Sequence, residues 1–230
     1  MSNATLHYIH DPLCGWCYGA SPLVQAAREV LAVVPHAGGM MTGQRRQRVT
    51  PQLRSYVMQH DRRIAQLSGQ PFGDAYFEGL LRDADAVFDS EPPITALLAA
   101  DTIGGRGLDL LARLQRAHYV EGRRIADAAV LREMAVDIGL DGDAFDAAYA
   151  TQRGAPTQAH IAASRSLLDR VGGAGFPTFV LEQDGRLDVV DVSAWFGRAE
   201  PWQEWLRSQA GVVRSQPSEG AACGIDGCER

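Results

Sequence analysis

Four cysteines stand in two close pairs, Cys14 with Cys17 as C-x-x-C and Cys223 with Cys228 as C-x4-C. Two thiols at the first spacing can exchange with a disulfide, one attacking and the other resolving, or can supply half of a zinc site. A chance pair of buried thiols is the plain third reading. A secreted disulfide framework is excluded as a class, because 230 residues with four cysteines are too long and too cysteine-poor for one. The surroundings of the first pair favour redox chemistry. Residues 5–10, TLHYIH, are strand-forming types, and residues 23–31 carry apolar side chains at helical spacing. Between them lies DPLCGWCYGASP, so the dithiol sits where a strand hands over to a helix, with Cys14 at or near the helix start. Unpaired N–H groups and the positive end of the helix dipole favour a thiolate over a thiol at such a place. Cys17 is then within reach of any mixed disulfide formed on Cys14. Pro22 marks a bend just past the dithiol, since proline inside a helix breaks or kinks it.

A second signature comes late, at GGAGFPTFVL over residues 172–181. Taken with the strand, the C-x-x-C and the helix with its nearby proline, it makes the chain resemble a thioredoxin-fold oxidoreductase of the DsbA type. The C-x4-C tail makes it look more like the cytoplasmic FrnE-type branch. The resemblance implies that Cys14 is the exposed nucleophile and Cys17 the resolving thiol. It also implies that Pro177 is a cis-proline lying against the dithiol, and that the backbone at Phe176 pairs with a bound peptide or thiol substrate. One departure stands out: Gly15 and Trp16 lie between the cysteines, where strongly oxidising members carry Pro-His, so a strong oxidant is not implied.

Other residues near these motifs are weighed against plainer roles. His10, four residues before Cys14, could lower the thiolate's pKa or shuttle a proton, although a partly exposed strand-end histidine is the preferred reading. Trp16 is expected as a surface contact residue, and Tyr18 and Phe176 could line the same groove. Arg45, Arg46 and Arg48 form a small basic cluster that could attract an acidic substrate such as glutathione, or simply be solvated. His118 and His160 fall inside helices with no spacing that argues for a metal, and no metal or cofactor is expected.

The elements that must position these groups follow from periodicity and punctuation. A second strand is expected within residues 33–41, around 36–41, where two glycines weaken it. Residues 51–154 read as helical, with helices over 51–67, 74–81, 92 onward from its opening prolines, and 127 to about Gly139 after a capping Asp127. Asp141 could cap the next, and 156–171 reads as a helix returning to the sheet. Asp184-Gly185 between two apolar runs is a hairpin signal, and a last helix around 202–206 would cover the sheet. The fold expected is α/β, thioredoxin-like with a large all-helical insertion as in DsbA. Its bounds are a discontinuous domain over 5–45 and 172–212, an insertion over 46–171, and a flexible tail over 213–230 carrying Cys223 and Cys228 as a possible second redox pair.

Composition agrees with a globular protein: 46% of residues are apolar and 22% charged. The charge of −6 does not suggest a nucleic-acid surface, and the absence of lysine excludes lysine Schiff-base chemistry and the lysine phosphate loop. With no membrane-span pattern and no signal pattern at the start, a cytoplasmic location is expected. The leading function is a thiol–disulfide oxidoreductase or isomerase acting on disulfide- or thiol-containing proteins, peptides or glutathione. The alternatives are a glutathione-dependent isomerase or transferase of the same fold, which usually has serine at the nucleophile position, and a non-enzymatic zinc-binding or chaperone protein.

Overall fold

In the computed structural model the described residues are 4–210; Cys223, Cys228 and the expected tail lie outside them. The centre is a four-stranded sheet in the order β2-β1-β5-β6, built from β1 (Thr5–His10), β2 (Ala32–Ala37), β5 (Thr178–Gln183) and β6 (Arg186–Val190). β1 runs parallel to β2 and antiparallel to β5, and β5 runs antiparallel to β6. The two central strands are the apolar ones: Leu6, Ile9, Phe179 and Val180 are all fully buried. The edges are more polar, and Pro35 is tolerated in β2 because an edge strand has no second ladder to lose. The hairpin turn at Asp184-Gly185 takes positive φ at both residues, the conformation that two-residue hairpins need.

The second strand lies earlier than the sequence suggests. It ends at Ala37, and Gly38 and Gly39 follow it rather than sitting inside it. The first helical stretch is also broken where proline predicts: α1 (Gly15–Gly19) stops, and α2 (Ser21–Arg28) restarts with Pro22 in its first turn. α2 and α9 (Ala199–Gln209) pack together, and the Trp202 indole N–H donates to the Leu23 carbonyl at 3.0 Å. α8 (Ala155–Arg170) brings Leu167 and Leu168 onto Ile9 and Val180.

Between the two halves of the sheet run α3 (Pro51–Ser68), α4 (Glu91–Gly104), α5 (Gly107–Tyr119), α6 (Ala128–Asp137) and α7 (Gly142–Gln152). Thr50 caps α3 through its hydroxyl, and Asp141 caps α7 by accepting from the Asp143 and Ala144 amides. Asp127 stands at the N-cap of α6 without a side-chain cap bond. The stretch 74–81 is not one α-helix: Ala75–Gly79 is π-helical and Leu80–Arg82 a 3-10 turn. The insertion is also not wholly helical, because β3 (Gln47–Arg48) and β4 (Val87–Phe88) form a small antiparallel ladder. Two-residue strands carry no periodicity for a sequence to reveal.

Candidate active site

β1 delivers the chain directly to the dithiol. The Cys14 amide donates to the Asp11 carbonyl at 3.2 Å, and Cys14 is the residue before α1, with extended backbone. Asp11 is fully buried and organises this loop. Its Oδ1 accepts from the Leu13 amide at 2.9 Å and the Ser90 hydroxyl at 3.0 Å, and its Oδ2 accepts from the Met40 amide at 2.5 Å. Burial pushes its carboxyl up to about 6, against the pull of those donors. The loop is thereby tied to the segment after β2 and to the start of α4.

The register of the sheet does the rest. Ile9 lies opposite Thr178, so the residues leaving β1 run beside those entering β5. Cys14 and Phe176, 162 positions apart, meet there, and the Cys14 thiol donates to the Phe176 carbonyl at 3.3 Å. The Phe176–Pro177 peptide bond is cis. A Cβ on Gly38 would stand 2.3 Å from the Phe176 ring, so glycine at 38 is what admits that ring. Arg165 lies over the ring, its guanidinium 5.9 Å from the ring centre and 2.7 Å from the Gly39 carbonyl.

Both Cys14 and Cys17 are thiols, but their surroundings differ. Cys17 is completely enclosed, and burial, reinforced by the neighbouring Cys14, pushes its thiol well above the ordinary range. Tyr8 donates its hydroxyl to the Cys17 carbonyl at 3.2 Å. Cys14 is also largely covered, at 6% exposure, rather than an open surface thiol. Its access is through a cavity of about 630 Å³ that it lines together with Trp16, Met40, Arg45, Tyr56 and Asp61. The cavity lies between the dithiol loop and α3, so the insertion builds the wall opposite the thioredoxin-like part.

The other sequence candidates divide. Trp16 is half-buried, faces the cavity and meets the Phe196 ring edge-on at 5.4 Å. Tyr18 is not a groove residue: it is buried, stacks on Tyr119 at 4.8 Å and donates to the Pro71 carbonyl. His10 is not the partly exposed strand-end residue expected. It is 1% exposed, stacks on Tyr8 at 4.8 Å and is held down to about 3 by burial, so it carries no charge at neutral pH to lend to a thiolate. His118 is likewise buried, neutral and part of the cavity wall, with burial holding it to about 3. His160 accepts from the Ala37 amide at 3.1 Å. Of the arginine cluster, Arg45 reaches the cavity, while Arg46 pairs with Asp89 at 3.4 Å. Asp11 and Asp61 are site residues that sequence patterning does not single out.

A reduced C-x-x-C at the strand-to-helix junction of a thioredoxin-like sheet, set against a cis-proline segment and opening on a cavity, defines a thiol–disulfide oxidoreductase. Residues 5–203 match the DSBA-like thioredoxin domain, and the chain belongs to that family. It is similar to the cytosolic disulfide reductase DsbM from Pseudomonas aeruginosa, with 56% identity, a TM-score of 0.86, and coverage of 91% of this chain and 100% of that one. A structure of DsbM with GSH matches at 55% identity and TM-score 0.83, covering 89% and 98%. Pseudomonas aeruginosa DsbA, 12% identical with TM-score 0.52 over 91% of this chain and 85% of that one, shares the fold. The comparison with curated proteins returned no match. Among the described residues no helix is long and apolar enough to cross a membrane.

Proposed function

We propose that the protein works as a reductase of disulfides, with Cys14 as attacking thiolate, Cys17 as resolving thiol and glutathione as a thiol partner. The division of roles rests on one observation: Cys14 lines the cavity, whereas Cys17 is sealed behind it. In the first step the Cys14 thiolate bonds to one sulfur of the substrate disulfide, the substrate S–S bond breaks, and the other sulfur leaves as a thiol after taking up a proton. Cys17 then attacks the Cys14 sulfur and expels the second substrate thiol. The substrate gains two electrons and the dithiol becomes a disulfide. Two glutathione thiols restore it, the first by a mixed disulfide on Cys14, the second by leaving as oxidised glutathione.

Several features support this reading. Arg45, Gln44 and Gln47 on the cavity wall offer donors for the carboxylates of a small acidic thiol. Trp16, together with the Phe176–Pro177 segment, would hold the substrate beside Cys14. The reducing direction and a cytoplasmic location are carried over from the cytosolic reductase at 56% identity, and glutathione from the relative described with GSH. Cysteine at position 14 speaks against the serine-dependent isomerase or transferase reading. The test is reduction of insulin by the protein with glutathione as the electron source. Cys14→Ser should lose turnover, and a Cys14→Ser variant that keeps full activity would overturn the mechanism.

A further inference from the structure

The exchange just described needs a proton for each departing thiolate, and no residue has yet been given that task. In the same cavity stands a carboxyl, Asp61, in the middle of α3. It is 4% exposed. Its Oδ1 would lie 2.5 Å from a Cβ on Gly15, so it rests against the backbone of the residue that follows Cys14, and glycine is what lets it come so near. Its Oδ2 accepts from the Tyr76 hydroxyl at 2.9 Å. Among the described residues no arginine pairs with it and no hydrogen bond reaches Oδ1.

The charged and titratable groups around it come from every wall. The residue before α1 brings Cys14, the π-helical turn brings Tyr76, and α5 brings His118 and Tyr119. The loop after β2 brings Arg45, and α3 itself brings Tyr56 and the exposed His60. His118 is neutral, and Arg45 donates to the Gly39 carbonyl at 3.4 Å. Nothing here compensates a buried carboxylate, and burial pushes Asp61 up to about 7 against the single donor Tyr76. A carboxyl that holds its proton up to neutral pH, with one oxygen unengaged against Gly15 in the cavity that Cys14 lines, is matched to general acid work.

We propose that Asp61 is the proton donor of disulfide exchange at Cys14. The proposal rests on the oxidoreductase reading and adds the proton path to it. The starting state is Cys14 thiolate, Cys17 thiol and protonated Asp61. As Cys14 forms its bond to the substrate and the substrate S–S bond breaks, the departing thiolate takes the Asp61 proton. As Cys17 attacks Cys14, the proton that Cys17 loses goes to the second departing thiolate. Two electrons and two protons leave the protein, two substrate thiols form, and the site ends as a disulfide beside an ionised Asp61.

The experiment is single-turnover reduction by the pre-reduced full chain of two disulfides, one alkyl and one aryl. Bis(2-hydroxyethyl) disulfide releases a basic thiolate that needs a proton, whereas 5,5′-dithiobis(2-nitrobenzoate) releases a stable anion that does not. Asp61→Asn is expected to slow the alkyl reaction about 100-fold at pH 6, and to leave the aryl reaction within about threefold. The wild-type alkyl rate should lose its advantage as pH rises past about 7, where the carboxyl ionises, and the variant should lack that limb. Tyr76→Phe, which removes the donor that stabilises the carboxylate, should move the limb to higher pH and serves if Asp61→Asn does not fold. Equal effects of Asp61→Asn on both disulfides, or an unmoved limb in Tyr76→Phe, would overturn the proposal. Wild-type protein that reduces neither disulfide would instead overturn the oxidoreductase reading on which it rests.

Discussion

A buried carboxyl that keeps its proton to about pH 7 leaves a mark on stability that is independent of any turnover. For Asp61 the folded-state value lies above the ordinary 3.8. Below pH 3.8 folded and unfolded chains both hold the proton and this group costs nothing. Between 3.8 and about 7 only the unfolded chain releases it, so stability is lost as pH rises, and the loss is complete once the folded protein also ionises. At roughly 1.4 kcal/mol per unit, the cost is about 1.7 kcal/mol at pH 5 and about 4.3 kcal/mol at pH 8. Asp61→Asn keeps an acceptor for the Tyr76 hydroxyl but has no proton to lose. Urea unfolding of the reduced proteins at the two pH values should therefore show wild type losing roughly 2.5 kcal/mol more than the variant between pH 5 and pH 8. The contributions of Asp11, His10 and His118 are common to both proteins and drop out of the difference. Parallel profiles, differing by less than about 0.5 kcal/mol, would refute the claim that burial holds this proton.

Other perturbations read other parts of the site. Gly38→Ala places a methyl 2.3 Å from the Phe176 ring, and should cost about 1–3 kcal/mol in thermal unfolding while slowing disulfide reduction, because the Phe176 carbonyl beside Cys14 must shift. Cys17→Ala should accumulate mixed disulfides on Cys14 when exposed to oxidised glutathione or a disulfide-bonded protein, read by intact mass and peptide mapping. His118 titrates near 3 in the fold against 6.5 unfolded, so its contribution is present above pH 6.5 and is lost as pH falls. His118→Gln should accordingly show a shallower fall in stability between pH 6 and 4, by about 1.4 kcal/mol per unit.

The parts of this site that are legible in the chain are those written in local chemistry. C-x-x-C between a β-rich run and an amphipathic helix, the late Phe176-Pro177 before an apolar strand, and Asp184-Gly185 between two strands each carry their own geometric instruction. The helix boundaries set by Thr50-Pro51 and Asp141 are of the same kind. What stays hidden depends on contacts between distant segments. Asp61 sits in the run Gln59-His60-Asp61-Arg62-Arg63, which reads as a solvated helix face, and only the docking of α3 against Gly15 buries it. His10 ends a strand and so looks half-exposed, yet it is enclosed, with His160 of α8 near enough to act on its titration. Gly38 and Gly39 weaken a strand that in fact ends before them, and Gly38 is there to admit the Phe176 ring. Cys14 is covered for the same reason, because the cavity that gives access to it exists only once the insertion has folded over the dithiol.

The most direct test of the account is an equilibrium redox titration of the full chain, with thiol trapping by mass and tryptophan emission followed in parallel. The prediction is one two-electron transition in which Cys14 and Cys17 lose their thiols together, and tryptophan emission, through Trp16 between them, changes at the same midpoint. Thiols at Cys14 and Cys17 that stay trappable across the whole range, with no disulfide between them, would contradict it.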